Sequence, residues 1–201
     1  MSNFTDFFPA ASGGGGGGIP KYQDFTSSGT FTPTQALINA GGRVAYLAVG
    51  GGQRGFWQYS SNDYPEGGTG GQVKFGYATL TGTTGCAVTI GAGGTGDGSG
   101  GGDTTIAFNS AGGTAVTSKG GSGGALSYVG PGAGAKMSIS SSTLNKSGAQ
   151  SGALGFGGGG SAQKSGAEQT TGIISPLANT GGGSGKGTNA ANGFVRITWF
   201  E

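Results

Sequence analysis

Three glycine-rich stretches place residues at spacings used for phosphate or metal chemistry, and in each the neighbouring residues decide whether that chemistry is possible. Gly91-Ala92-Gly93-Gly94-Thr95-Gly96 comes after the strand-like Ala87-Val88-Thr89-Ile90 and matches the G-x-G-x-x-G pattern of a dinucleotide-binding turn. Such a turn holds a pyrophosphate because a helix begins there and aims its amide dipoles at the anion. Here the next residues are Asp97-Gly98-Ser99-Gly100-Gly101-Gly102, and each glycine costs a helix about 1 kcal/mol relative to alanine. No helix starts in such a run, so no dinucleotide site is expected. Thr180 to Gly187 (TGGGSGKG) approaches a phosphate-binding loop, but Thr180 replaces the first glycine and Gly187 replaces the required Ser or Thr. Gly93-Gly94-Thr95-Gly96-Asp97 approaches a calcium repeat, yet Asp97 arrives one residue early and the unit does not recur. The chain has no histidine, which removes the usual general base and zinc ligand. Its 8 carboxylates show no pairing. The expectation is a protein that is not an enzyme and uses no cofactor or metal.

The residues best suited to binding lie in Gln53 to Glu66 (QRGFWQYSSNDYPE), where Phe56, Trp57, Tyr59 and Tyr64 are interleaved with Arg54, Asn62 and Asp63. Aromatic faces stack on sugar rings or lipid, and nearby amides and carboxylates hydrogen-bond hydroxyls. The competing reading is that these aromatics cap a small β core. Tyr128, beside Val129 and between two glycine runs, is a second loop-tip candidate. At the N-terminus Phe4, Phe7 and Phe8 share one face of a single turn that Pro9 stops. The hexaglycine Gly13 to Gly18 comes next, a tether whose ends lie about 13 Å apart if it is a flexible coil. An apolar tag on a short leash reads as a docking segment over residues 1–12 with a tether over 13–21; the alternative is a frayed terminus.

Composition limits what can position these residues. Glycine accounts for 52 of 201 residues, and Leu, Ile, Val and Phe together for only about a sixth, too little for an ordinary core. Charged residues are 9% and the net charge is +2, scattered singly, so neither charge-driven disorder nor a nucleic-acid surface is expected. No stretch approaches the roughly 18 apolar residues of a membrane helix. The single Cys86 cannot form an internal disulfide, and it shares a strand face with Val88 and Ile90, which reads as a buried thiol.

Strand patterns stand out in several places. Phe25-Thr26 and Phe31-Thr32 flank a turn or bulge at Ser27-Ser28-Gly29, and Arg43 to Val49 is a short apolar run ending in Gly50-Gly51-Gly52. Gln72 to Leu80 alternates, with Val73, Phe75 and Tyr77 on one face and Lys74, Gly76 and Ala78 on the other, as a half-buried strand would. Phe194 to Glu201 sets Val195, Ile197 and Trp199 against Phe194, Arg196 and Thr198. The strongest strands stand at the two ends and the glycine runs between them. The expected fold is therefore mainly β with almost no helix: a small β-sandwich-like framework closed by the N- and C-terminal strands, with glycine-rich inserts. An extended threefold helix makes no internal hydrogen bonds, so such inserts can satisfy their backbone by bonding to neighbouring rods, and only glycine lets rods approach closely. The alternative is flexible linkers.

One resemblance rests on five segments. Phe25 to Thr32, the apolar strand entering Gly50-Gly51-Gly52, Val88-Thr89-Ile90-Gly91-Ala92-Gly93-Gly94, Gly100-Gly101-Gly102-Asp103-Thr104-Thr105-Ile106-Ala107-Phe108, and Asn192-Gly193-Phe194-Val195-Arg196-Ile197-Thr198-Trp199 occur in that order. So arranged, they resemble the glycine-rich domain of tailed-bacteriophage tail and fibre proteins, over about residues 22–201. The resemblance implies a β framework carrying layered polyglycine rods, whose connecting loops meet a host receptor in the tail-tip adhesins. Phe7-Phe8-Pro9-Ala10-Ala11 before oligoglycine also resembles the N-termini of virion proteins that dock onto a larger particle component. The glycine runs are shorter and more interrupted than in those adhesins, and the family includes structural proteins. Two functions are thus open: a tail fibre or adhesin that binds a host surface glycan or outer-membrane protein, and a decoration or connector protein that binds no receptor. Either would sit in the virion beside other virion proteins, and fibres of this kind are commonly homotrimers. An ice-binding or silk-like protein would need a strict period of three, which the broken runs do not keep.

Overall fold

The structure, a computed structural model, describes residues 18–58, 64–66, 68–122, 178–184 and 188–201. The docking segment 1–12 and residues 13–17 of the tether lie outside them. Residues Pro20 and Lys21, expected at the end of the tether, already belong to a strand.

The elements in order are β1 (Pro20–Phe25), β2 (Gly29–Phe31), α1 (Gln35–Asn39), β3 (Arg43–Val49), β4 (Phe56–Gln58), β5 (Tyr64–Glu66), β6 (Val73–Thr79), β7 (Cys86–Thr89), β8 (Thr104–Ile106), β9 (Val116–Ser118) and β10 (Phe194–Phe200), with a 3-10 turn at Phe108–Ala111. Two four-stranded antiparallel sheets form, ordered β1-β10-β3-β6 and β2-β7-β8-β9, and β4-β5 is a separate ribbon. The chain is mainly β, as composition and alternation imply. The C-terminal strand lies between two N-terminal ones: Ile197 stands opposite Gln23 of β1 and Tyr46 of β3. The second sheet departs from the expectation that the middle of the chain is only an insert. Two of its strands, β8 and β9, come from the stretch after Ile90, because Thr104/Ile106 and Val116/Ser118 alternate and bury one face, while β7 is the strand expected before the glycine runs.

Residues of both sheets share one buried cluster that includes Phe25, Phe31, Val44, Cys86, Val88, Ile106, Phe108, Val195 and Ile197. The chain passes from the first sheet to the second across Thr26-Ser27-Ser28, so Phe25 and Phe31 enter the same core from different sheets. Trp199 meets the Phe31 ring edge-on at 5.3 Å, a geometry favoured by the ring quadrupoles. Cys86 is buried as expected, and desolvation raises the thiol pKa, keeping it protonated. The short helix α1, the one α-helix among the described residues, is set by Thr34, whose Oγ1 accepts from the Leu37 amide at 3.0 Å. The same hydroxyl donates to the Glu201 carboxylate, which Lys21 also reaches. The two ends of the described chain are thereby tied together.

Strand β6 is half-buried, but its aromatic face is the exposed one. Phe75 is 76% and Tyr77 49% exposed, while Ala78 packs on the core. The reason is Tyr46, opposite Gly76 in β3. Its ring tilts against Phe108 at 5.9 Å, and a Cβ at Gly76 would stand 2.7 Å from its hydroxyl. Tyr46 occupies the space that a β6 side chain would need.

Candidate functional site

From one end of the sheets the chain leaves and returns several times. Residues 50–55 leave β3, and 68–72 return into β6; 91–96 leave β7, and 99–103 return into β8; 119–122 leave β9, and 188–193 return into β10. Residues 181–184 run outward beside them, from Gly181, whose amide bonds Asn192 O at 2.8 Å near β10, to Ser184, whose carbonyl accepts from Gly55 and Gly68 far from it.

These segments bond to each other through the backbone. Residues 50–55 exchange hydrogen bonds with all the others just named. Gly50 and Gln53 donate to Gln72 and Thr69, and Gly51 and Arg54 to Gly102 and Ser99; Gly52 donates to Ala191 and Gly55 to Ser184, while Gly94 donates to Gly52 and Gly121 to Gly51. In two of these three rows, from Gly50/Gln53 and from Gly51/Arg54, the same neighbouring segment recurs at the third residue of the donor; in the row from Gly52/Gly55 the neighbour changes from 188–193 to 181–184. A β ladder alternates with period two, so this bonding is of a different kind. It leaves no room for side chains: a Cβ on Gly51 would lie 2.1 Å from Ala92 O, and one on Gly52 2.1 Å from Gly182 O. Glycine is required there for close approach rather than for flexibility.

Polar side chains fasten this array. Gln53 is 2% exposed; its Oε1 accepts from the Thr69 amide at 3.2 Å and hydroxyl at 3.1 Å, and its Nε2 donates to Gly98 O at 3.2 Å. A buried amide with both ends bonded fixes one register between segments. Nearer the sheets, Lys119 Nζ donates to Asp103 at 2.6 Å and the Gly120 amide to the same carboxylate at 3.0 Å. The hydrogen bond from Lys119 holds the Asp103 pKa below the usual carboxylate range.

At the end away from the sheets the connections come together. The β4-β5 ribbon spans 55 and 68, the turn at Thr95 to Ser99 joins two segments, and 184 and 188 face the same end. Arg54 links them. Its guanidinium donates to Thr95 O and to Asn189 Oδ1 at 3.2 Å, and it pairs with Asp97 at 3.1 Å. Its side chain is 19% exposed, against 49% for Asp97. Among the described residues no acceptor reaches its Nε.

Of the residues singled out from the sequence, Arg54 is thus held by groups of its own chain at the base of the aromatic loop. Phe56 and Trp57 lie on β4 and Tyr64 on β5, with Trp57 opposite Pro65 and Gln58 opposite Tyr64. Tyr59, Asn62, Asp63, Tyr128, Phe4, Phe7 and Phe8 lie outside the described residues. Thr95, Asp97 and Asn189 escaped the sequence reading as partners of Arg54. They stand 41, 43 and 135 residues away, and no local pattern joins them. Among the described residues no cluster of acidic, Cys or His side chains could hold a metal ion.

Compared with protein-family models and with curated proteins, the sequence finds no match. The functional reading therefore rests on the residues and their geometry.

Proposed function

We propose that this chain is a bacteriophage virion protein, a tail fibre or adhesin that attaches the particle to the host cell surface. In this reading the two sheets form a β-sandwich-like framework, the glycine segments are packed polyglycine rods, and the rods carry the variable connections to the far end as a stiff spacer. The observation that carries the reading is that convergence. The base of the β4-β5 ribbon, the Thr95 to Ser99 turn and Asn189 meet at one end, tied by Arg54. The aromatic segment Gln53 to Glu66 is part of that end, and it has the residue types that stack on sugars and bond hydroxyls. Docking through Phe4, Phe7 and Phe8 would present many copies, so weak contacts with a surface glycan or outer-membrane protein add up to firm attachment.

The second reading is a connector or decoration protein that binds no receptor. It is favoured by the exposed aromatics of the first sheet, Tyr22, Phe75 and Tyr77, which suit a protein interface. Labelled protein clustered on beads and applied to a panel of bacterial cells separates the two. An adhesin binds at least one strain, and Trp57→Ala/Tyr59→Ala/Tyr64→Ala abolishes binding while circular dichroism stays unchanged. Absence of binding to every strain, with the protein folded, would leave the connector reading.

A further inference from the structure

Val44, Ala48, Val195 and Ile197 turn one face of the first sheet into the core, and the alternate residues make its outer face. Pairing sets these in rows across β1, β10, β3 and β6. Tyr22, Thr198, Ala45 and Tyr77 form one row, and Asp24, Arg196, Leu47 and Phe75 the next. Large rings thus stand at the two edges, three strand spacings or about 14 Å apart, over a floor of the smaller Thr198 and Ala45. The rims are held in place. Arg196 lies 5.1 Å from the Tyr22 ring centre and donates to both oxygens of Asp24, at 2.6 and 2.7 Å, and Arg43 covers Tyr77 at 4.6 Å. The result is a preformed trough whose rim leaves Tyr22 67% exposed and Phe75 more so. Tyr77 has a further partner of its own, so the open apolar surface is that of Tyr22 and Phe75 beside Leu47 and Ala45.

Exposed aromatic surface of this kind suits docking, and the chain carries an occupant that matches it. The spacing of Phe4, Phe7 and Phe8 puts three rings on one face of a single turn. A turn with its side chains is about 10–12 Å across, which fits between the rims. One turn is too short to be stable alone and needs a surface on which to bury its rings.

The segment also starts beside this face. Ile19 N donates to Glu201 O at 2.9 Å, and a Cβ on Gly18 would stand 3.3 Å from Phe200 Cβ. The glycine tether therefore begins against Phe200, which by alternation shares the outer face with Thr198. From there the trough floor lies about 7 Å along β10 and about 5 Å across to β3, within the roughly 13 Å that the hexaglycine spans. Charge agrees with this placement. Asp6 is the one charged side chain of residues 1–17, and the face carries Arg43 and Arg196 against the single carboxylate of Asp24.

We infer that Phe4, Phe7 and Phe8 fold back on the glycine tether and fill the trough on the outer face of their own first sheet. The contact does not depend on what the far end binds, and a particle component that takes these rings must first displace them from the sheet. Paramagnetic broadening in the full chain tests it. A nitroxide on Ser2→Cys marks that position alone, because the Cys86 thiol is fully buried. The amide signals of Ala45, Thr198 and Phe75 should be lost, while those of Thr105 and Thr117, on the outer side of the second sheet, persist. Phe4→Ser/Phe7→Ser/Phe8→Ser should restore the lost signals, and Phe75→Ser, at the exposed rim, should restore them in part. Isotope-labelled protein without nitroxide, mixed with unlabelled protein that bears it, should keep sharp signals, because the contact lies within one chain. Four results would overturn the inference: no loss at the trough, broadening spread evenly over both sheets, broadening that survives the triple substitution, or broadening in the mixed sample, which would put the segment on another copy.

Discussion

Glycine at positions 51 and 52 is there because a neighbouring carbonyl lies where a side chain would begin. A methyl at Gly52 would stand 2.1 Å from Gly182 O, a backbone atom that cannot swing aside. Gly52→Ala is therefore expected to destabilise the fold by about 1–3 kcal/mol or more, the usual cost of overpacking. Gly82 gives the contrast, since nothing lies within 4 Å of its Cβ direction. Gly82→Ala should be neutral or stabilise by roughly 0.5 kcal/mol through the unfolded chain. Denaturant melts of both variants check the pair; similar costs for the two would contradict close packing at Gly52. Glycine count alone cannot tell these positions apart, because the obstructing carbonyls come from segments far away in sequence.

Among the elements, the strands were the most legible part. Arg43–Val49 and Phe194–Phe200 read directly from apolar runs and alternation, and both lie where that pattern places them. Strand β6 was legible as a strand but not in its facing, because Tyr46 decides that from another strand. The three-residue strands β8 and β9 are too short for alternation to stand out, and pairing with each other and with β7 is what makes them strands. The tie between β10 and the start of the chain also depends on tertiary structure. Glu201 is held by Lys21 and Thr34, and these hydrogen bonds, that from Lys21 first, keep its pKa below the usual value. A carboxylate with a depressed folded-state pKa adds stability above its unfolded value of about 4.3 and loses it as the pH falls through the folded one. Glu201→Gln should therefore lower the melting temperature at neutral pH, and the gap to wild type should close on acidification below about pH 4. A gap that persists at low pH would show that charge is not what the side chain contributes there.

At the scale of the whole molecule, a small apolar core holds one end and backbone hydrogen bonds hold the other. The sequence supplies the materials of this division, since glycine is abundant and aliphatic residues are scarce. It does not supply the neighbours: segment 50–55 bonds to residues as far away as Ala191, and no periodicity within one run encodes that. The aromatic segment was legible as a candidate by residue type, whereas its closeness to Asp97 and Asn189 through Arg54 was not, for the same reason. The proposed spacer depends on the glycine segments being packed rather than slack. Amide hydrogen exchange by NMR tests this most directly. If the segments are packed, the amides of Gly51, Gly52, Gly94, Gly102 and Gly121, each bonded to a carbonyl of another segment, should exchange at least roughly a thousandfold more slowly than free peptide. They should also be lost together with core amides such as that of Val195. Exchange of these glycines at free-peptide rates, while the sheets remain protected, would contradict the account and make the segments linkers.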